Sequence, residues 1–315
     1  MTDEAPLGPG AEFDMIRAML ERWGPRANGV GDDAAIVHVP RGDVLLASVD
    51  TAVETQHFRR EWLTPRELGY RAVAAALSDL AAMAARPLGV LVAMTVPDAW
   101  LGDVAGIADG IGEAVAAVRT PVLGGNLSAG GELSITTTVL GSAFAPLRRT
   151  TARAGDIVYV TGSLGGVAEA LWRLEHGGRG EPGGPGGPQR ERFAHPTPRL
   201  AEARWLAERG ATAAIDISDG LLADVRHLAA ASRVAIAIDG AAVPCMPGVS
   251  HETAQHSGEE YELVVTASAP IDVKEFARLF GLPLTEIGTV SAGEPGVTVD
   301  GQRVAASAGY DHFSR

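Results

Sequence analysis

The chain has 315 residues, 46% hydrophobic and 21% charged, with a formal net charge of −13, and its length suits about two domains with sizeable cores. No basic run extends beyond short pairs such as Arg148-Arg149, so a nucleic-acid interface built on a basic patch is excluded. Lys274 is the one lysine among 26 basic residues, and Cys245 is the one cysteine; a Gly-Lys-Ser/Thr phosphate loop, an intrachain disulfide and a cysteine-based zinc site are therefore excluded too.

The acidic N-terminus lacks the basic and apolar regions of a signal peptide, and no uncharged apolar run reaches transmembrane length. The expected compartment is the cytoplasm, with no membrane partner. Residues 12–23 read as a short amphipathic helix. The Gly-rich turn Asn28-Gly29-Val30-Gly31-Asp32-Asp33 follows, then a predicted strand over 34–39, a turn at Arg41-Gly42-Asp43, and a strand over 44–49 that ends at Asp50.

Residues 64–86 carry the strongest helix signal. Thr64 is a good N-cap, Pro65 fits the first helical position, Glu67 completes a capping box and Pro87 marks the end. The segment is apolar on nearly every face and is expected to be buried. Asp79 lies inside it, with Ala75, Ala76, Ala82 and Met83 as its helical neighbours. A buried carboxylate needs a partner. That partner is an arginine or backbone amides from elsewhere in the chain, or a metal ion.

Farther on, 88–96 is a predicted buried strand and 98–118 a helix. A short strand at 122–123 runs into Gly124-Gly125-Asn126, and 133–140 is another strand. Composition shifts at 144–155, which places a domain boundary between 1–145 and 146–315. The second part opens with a strand over 156–161, the turn Gly162-Ser163-Leu164-Gly165-Gly166 and a helix to Glu175. The Gly/Pro tract 177–190 reads as a disordered surface loop. A helix over 198–209 precedes a strand over 213–217, which leads into Asp216-Ile217-Ser218-Asp219-Gly220 and a helix to Ser232. Strands over 233–239 and 260–267, a helix over 272–280, and strands near 284–290 and 296–299 complete the chain. Neither part alternates strand and helix regularly, so the expected fold is two α+β domains.

Acids recur after Gly-rich turns or at the carboxyl ends of apolar strands: Asp32-Asp33, Asp50, Asp216 and Asp219. A single Asp beside a glycine is ordinarily a turn or a cap, and Asp219 before Gly220 has that alternative. A shared site accounts for the set, because Mg²⁺ binds through one or two carboxylates plus waters and substrate phosphates. Gly124-Gly125-Asn126 and the 162–166 turn before a helix N-terminus are candidate anion loops, each weak alone. Arg148 and Arg149 offer charge to a phosphate or simply to solvent. His57-Phe58 pairs a polar ring with a stacking ring, or is an ordinary loop pair. No HExxH and no G-x-S-x-G sequence occurs.

Gly31-Asp32-Asp33-Ala34-Ala35, Ser48-Val49-Asp50-Thr51 with His57-Phe58, and Leu77-Ser78-Asp79-Leu80-Ala81-Ala82-Met83 occur in that order. Gly124-Gly125-Asn126, Asp216-Ile217-Ser218-Asp219-Gly220-Leu221, Gly258-Glu259-Glu260-Tyr261-Glu262-Leu263 and Gly309-Tyr310-Asp311-His312-Phe313 follow. This series resembles the thiamine-monophosphate kinase family of the ATP-binding superfamily that includes aminoimidazole-ribonucleotide synthetase. The resemblance implies an N-terminal domain whose four-stranded sheet pairs with a second subunit's in a dimeric barrel, and a C-terminal α+β domain. It also implies ATP as co-substrate and several Mg²⁺ ions. By position, Asp33, Ser48, Asp50, Asp79, Asp216 and Asp219 match metal-binding places. Gly125, Asn126, Arg149 and Ser218 match nucleotide contacts, and His57 and Glu259 match substrate contacts.

The implied reaction transfers the ATP γ-phosphoryl group to thiamine monophosphate, assisted by metal and with no protein base. The alternatives are a superfamily relative acting on another phosphate, amide or carboxylate, and a nucleotide-binding protein without turnover. Three departures from the family pattern stand out: Asn126 and Glu260 where Asp is usual, and Ser307 where some relatives carry an aromatic residue.

Overall fold

The computed structural model describes residues 10–27, 30–31, 33–176 and 187–305. Asp32, residues 177–186, Ser307 and the terminal Gly309-Tyr310-Asp311-His312-Phe313 motif lie outside the described residues. The chain forms two compact units. The first runs through Leu80 and resumes over Arg86–Ala145; the second takes Ala81–Ala85 and the described chain from Pro146 onward.

The first unit holds α1 (Ala11–Trp23), β1 (Val44–Val53), α2 (Pro65–Ala82), β2 (Arg86–Val96), α3 (Val104–Ala117), β3 (Val122–Ala129) and β4 (Ser134–Ala143). Its sheet has the order β1-β4-β2-β3, with β2 and β3 parallel and the other pairs antiparallel. In β4, Ile135, Thr137 and Val139 are buried while Ser134, Thr136 and Thr138 are not, the period-two signature of one covered face. The capping box of α2 forms as its sequence requires: the Thr64 amide donates to Glu67 Oε2 at 2.8 Å and the Glu67 amide to Thr64 Oγ1 at 3.2 Å. Backbone meets backbone where α2 crosses α3. A Cβ on Gly110 would stand 1.8 Å from the Arg66 carbonyl oxygen, and one on Gly69 2.0 Å from that of Ile107.

Several boundaries differ from the sequence expectation. Residues 34–39 are not a strand, and Ile36 is 81% exposed. Their β-branched composition favours extended backbone, but a strand needs a ladder partner, and the sheet ends at β1. Asp50 lies inside β1 rather than at its end. Helix α2 stops at Ala82, Ala84 takes a left-handed φ of 52°, and Pro87 belongs to β2. Gly124-Gly125-Asn126 are not a loop but the middle of β3, beside a register shift opposite Val90 and Leu91. Gly125 permits that approach: a Cβ there would lie 1.9 Å from the Val92 carbonyl oxygen.

The second unit holds β5 (Ile157–Thr161), α4 (Gly166–Glu175), α5 (Gly187–Ala194), α6 (Leu200–Glu208), β6 (Ala211–Asp216) and α7 (Leu221–Ser232). They are followed by β7 (Ala235–Ile238), α8 (His251–His256), β8 (Leu263–Ala267), α9 (Val273–Phe280), β9 (Leu284–Ser291), β10 (Gly296–Val299) and β11 (Gln302–Arg303). Its seven strands run in the order β11-β10-β7-β9-β5-β8-β6. Val158, Val160, Ile215, Val264 and Ile287 of the sheet pack with Leu221, Val225 and Leu228 of α7 in one core. Each unit mixes helices with a largely antiparallel sheet, which is the expected α+β class. The 177–190 tract read as a loop requires a correction: residues 187–190 open α5, with Gln189 and Arg190 buried. Low-complexity composition hid a helix that tertiary contacts stabilise. No described helix is long and apolar enough to cross a membrane.

Candidate functional site

Three candidate residues of the first unit share one face of its sheet. Ser48 and Asp50 lie two residues apart on β1 and pair with Val139 and Thr137, the covered face of β4. Helix α2 packs on that face, and Ser48 Oγ donates to Asp79 Oδ2 at 2.5 Å. From 71 to 82 every residue of α2 is buried except Asp79, which is half-buried. The carboxylate thus has a hydroxyl partner and is half-buried, where the sequence predicts a buried acid partnered by an arginine, backbone amides or a metal ion. Asp50 is exposed, with Oδ1 accepting from the Thr51 amide at 2.7 Å. Asp33 is exposed in the segment before β1.

Asn126 is placed apart from that group. It pairs with Ala93, on the face opposite Val92 and Met94, and its Nδ2 donates to Ser128 Oγ at 3.1 Å. His57 sits in the turn after β1. The Val53 amide donates to His57 Nδ1 at 3.1 Å, so the ring proton is on Nε2. Phe58 is 1% exposed and meets Trp100 edge-on, so it is a core residue and not a stacking surface.

The second unit gathers Asp216, Ser218, Asp219 and Glu259. Asp216 ends β6, buried, and the loop to α7 carries Ser218 and Asp219. The Glu259 amide donates to the Ser218 carbonyl at 2.7 Å and the Tyr261 amide to that of Ile217 at 2.9 Å, which holds the 259–261 segment against this loop. Sequence reasoning missed Asp224. Its Oδ2 accepts from the Ser218 amide at 3.0 Å and the Asp219 amide at 3.1 Å. Burial, then the charges of Asp216 and Asp219, push its carboxyl up to about 8. The available signal was its spacing, five residues after Asp219 in the first turn of α7. Arg149 is exposed, and its carbonyl accepts from Ser232 Oγ at 2.6 Å.

The 162–166 turn was a candidate anion loop, and its anion turns out to be internal. Glu260 Oε1 accepts from the Gly165 amide at 2.9 Å, the Val167 amide at 3.0 Å and Ser257 Oγ at 2.6 Å. A carboxylate of the chain itself therefore fills the N-terminus of α4, where the amides and the helix dipole favour negative charge.

Among the described residues no three His, Cys, Asp or Glu groups converge as a metal cluster. The donors are oxygens in two small sets, Ser48 with Asp79 and Asp50, and Asp216 with Asp219. That donor chemistry fits Mg²⁺, which takes one or two carboxylates and completes its shell with water and phosphate oxygens. Two family profiles match the chain: AIR synthase related protein, N-terminal domain, over residues 31–143, and its C-terminal domain over residues 153–300. The chain is 33% identical over 308 residues to the thiamine-monophosphate kinase of Escherichia coli, covering 91% of this chain and 92% of that protein. It resembles the crystal structure of thiamine-monophosphate kinase from Stenotrophomonas maltophilia with a TM-score of 0.83 and 32% identity, over 93% of this chain and 98% of that one. Against AaThiL complexed with AMPPCP and TMP the TM-score is 0.77, with 31% identity and 96% of each chain covered.

Proposed function

Because the chain belongs to the thiamine-monophosphate kinase family, whose two AIR synthase related domains span most of it, we infer that it is an ATP-dependent kinase. It transfers the ATP γ-phosphoryl group to thiamine monophosphate, giving thiamine diphosphate and ADP. The observation that carries this reading is the match along nearly the whole chain to kinases of that name, including one solved with AMPPCP and TMP.

The residues suit the chemistry. The attacking group is a phosphate oxygen, already nucleophilic at neutral pH, so no protein base is needed. What opposes reaction is repulsion between two anions and their misalignment. We assign Asp33, Ser48, Asp50, Asp79, Asp216 and Asp219 to holding Mg²⁺, with Ser48 orienting Asp79 through its hydroxyl. When bound, Mg²⁺ would supply positive charge that offsets the repulsion between the phosphate groups. Gly125, Asn126, Arg149 and Ser218 are assigned to the nucleotide, and His57 and Glu259 to the thiamine phosphate. The Val53 amide donates to His57 Nδ1 and so fixes the orientation of its ring. We also propose a homodimer in the cytoplasm: β1 is an edge strand with Val44, Leu45 and Val49 exposed, the kind of edge a second copy covers.

The test is direct. Purified protein is incubated with ATP, MgCl₂ and thiamine monophosphate, and thiamine diphosphate is measured by chromatography. Absence of product from folded, ATP-binding protein would sink the reading. Asp79→Asn is expected to lower turnover at fixed Mg²⁺ by at least about tenfold; undiminished activity would remove Asp79 from the metal set.

A further inference from the structure

The segment 258–263 alternates between two environments. Glu259 and Tyr261 have left-handed φ angles of 56° and 52°, a conformation that is strained for non-glycine residues and persists where the surroundings over-determine it. Glu260 and Glu262, between and after them, are 1% and 0% exposed. Glu260 is held by the Gly165 and Val167 amides and by Ser257. Glu262 accepts from Arg199 Nη2 at 2.5 Å and Nε at 2.8 Å, from Thr161 Oγ1 at 2.5 Å, and from Arg192 Nη2 at 2.5 Å. Arg192 also faces Glu260 Oε2 at 3.3 Å. It comes from α5 and touches both buried acids, whereas Arg199 touches Glu262 alone of the two.

We propose that Arg192 is a positioning residue for Glu259. By tying Glu260 to Glu262 it fixes the strained arch that carries the Glu259 carboxylate. The proposal rests on the assignment of Glu259 to the thiamine phosphate. Ser218 and Asp219 are anchored through Asp224 as well as through the Glu259 amide's bond to the Ser218 carbonyl, so the nucleotide contact keeps one anchor that does not involve the arch. Removing Arg192 leaves Glu262 with Arg199 and Thr161, and leaves Glu260 with two amides and Ser257 but without its facing cation.

Arg192→Ala is expected to speed amide exchange at Glu259 and Tyr261 by about tenfold while the β8 amides stay protected. It is expected to raise KM for thiamine monophosphate by about tenfold, with KM for ATP within about twofold. Arg192→Lys, which keeps a cation there, should restore KM to within about threefold. Should Arg192→Ala not fold, Glu260→Gln keeps an oxygen for the two amides and removes the ion pair, with the same readouts expected. Unchanged exchange at both amides would overturn the proposal. So would an unchanged KM in Arg192→Ala beside a raised one in Glu259→Ala. An unchanged KM in Glu259→Ala itself would remove Glu259 from the substrate, and the positioning role would fall with that assignment.

Discussion

At position 224 a carboxylate with 2% exposure accepts two amides of the loop that carries Ser218 and Asp219. Burial and the neighbouring Asp216 and Asp219 raise its pKa from 3.8 to about 8. A folded-state value above the unfolded one means the native chain binds the extra proton. Metal-free stability is therefore expected to fall as pH rises from 3.8 toward 8. Calorimetric Tm values across that window, in chelator, check the sign, and Asp224→Asn should flatten the slope. Asp216 and Asp219 are legible in sequence because each stands beside a turn or strand end. Asp224 is not, since an acid in the first turn of a helix ordinarily just complements its dipole.

Helix α2 shows what an element can and cannot announce. Its capping box, its Thr64 start and its burial follow from residues close together in sequence. Its packing against α3 depends on glycines that only a folded pair explains. Gly110→Ala would place a methyl against the Arg66 carbonyl and is expected to destabilise the chain by about 1–3 kcal/mol, readable as a lower urea midpoint with unchanged slope. Helix α5 is the opposite case. It emerges from a Gly/Pro-rich tract, yet Arg192 binds Glu260 and Glu262 in the interior. Burial pushes the Glu262 carboxyl up, and Arg192 and Arg199 outweigh it, holding the group below its ordinary value. Local composition carries no trace of such distant partners.

For the whole molecule, the proposed dimer gives the clearest expectation. The exposed apolar residues Ile36, Val44, Leu45, Val49 and Phe144 belong to the first unit and include its edge strand. Leu45→Asp is expected to shift the sedimentation coefficient from dimer to monomer; an unchanged value would place the interface elsewhere.

Motif order and spacing in the sequence determined the family, the α+β class, most strands and helices, and the oxygen-rich character of the candidate metal set. The family rests on the resemblance of the motif series; the other features depend on residue type and short-range periodicity, which local physics reads directly. Tertiary structure decided which groups meet. It set Ser48 against Asp79, turned Asn126 to the other face of the sheet, and buried Phe58. It gave the helix N-terminus of α4 to Glu260 rather than to a substrate. Those outcomes depend on strand register and on contacts across many tens of residues, where a shift of one position reverses the face a side chain presents.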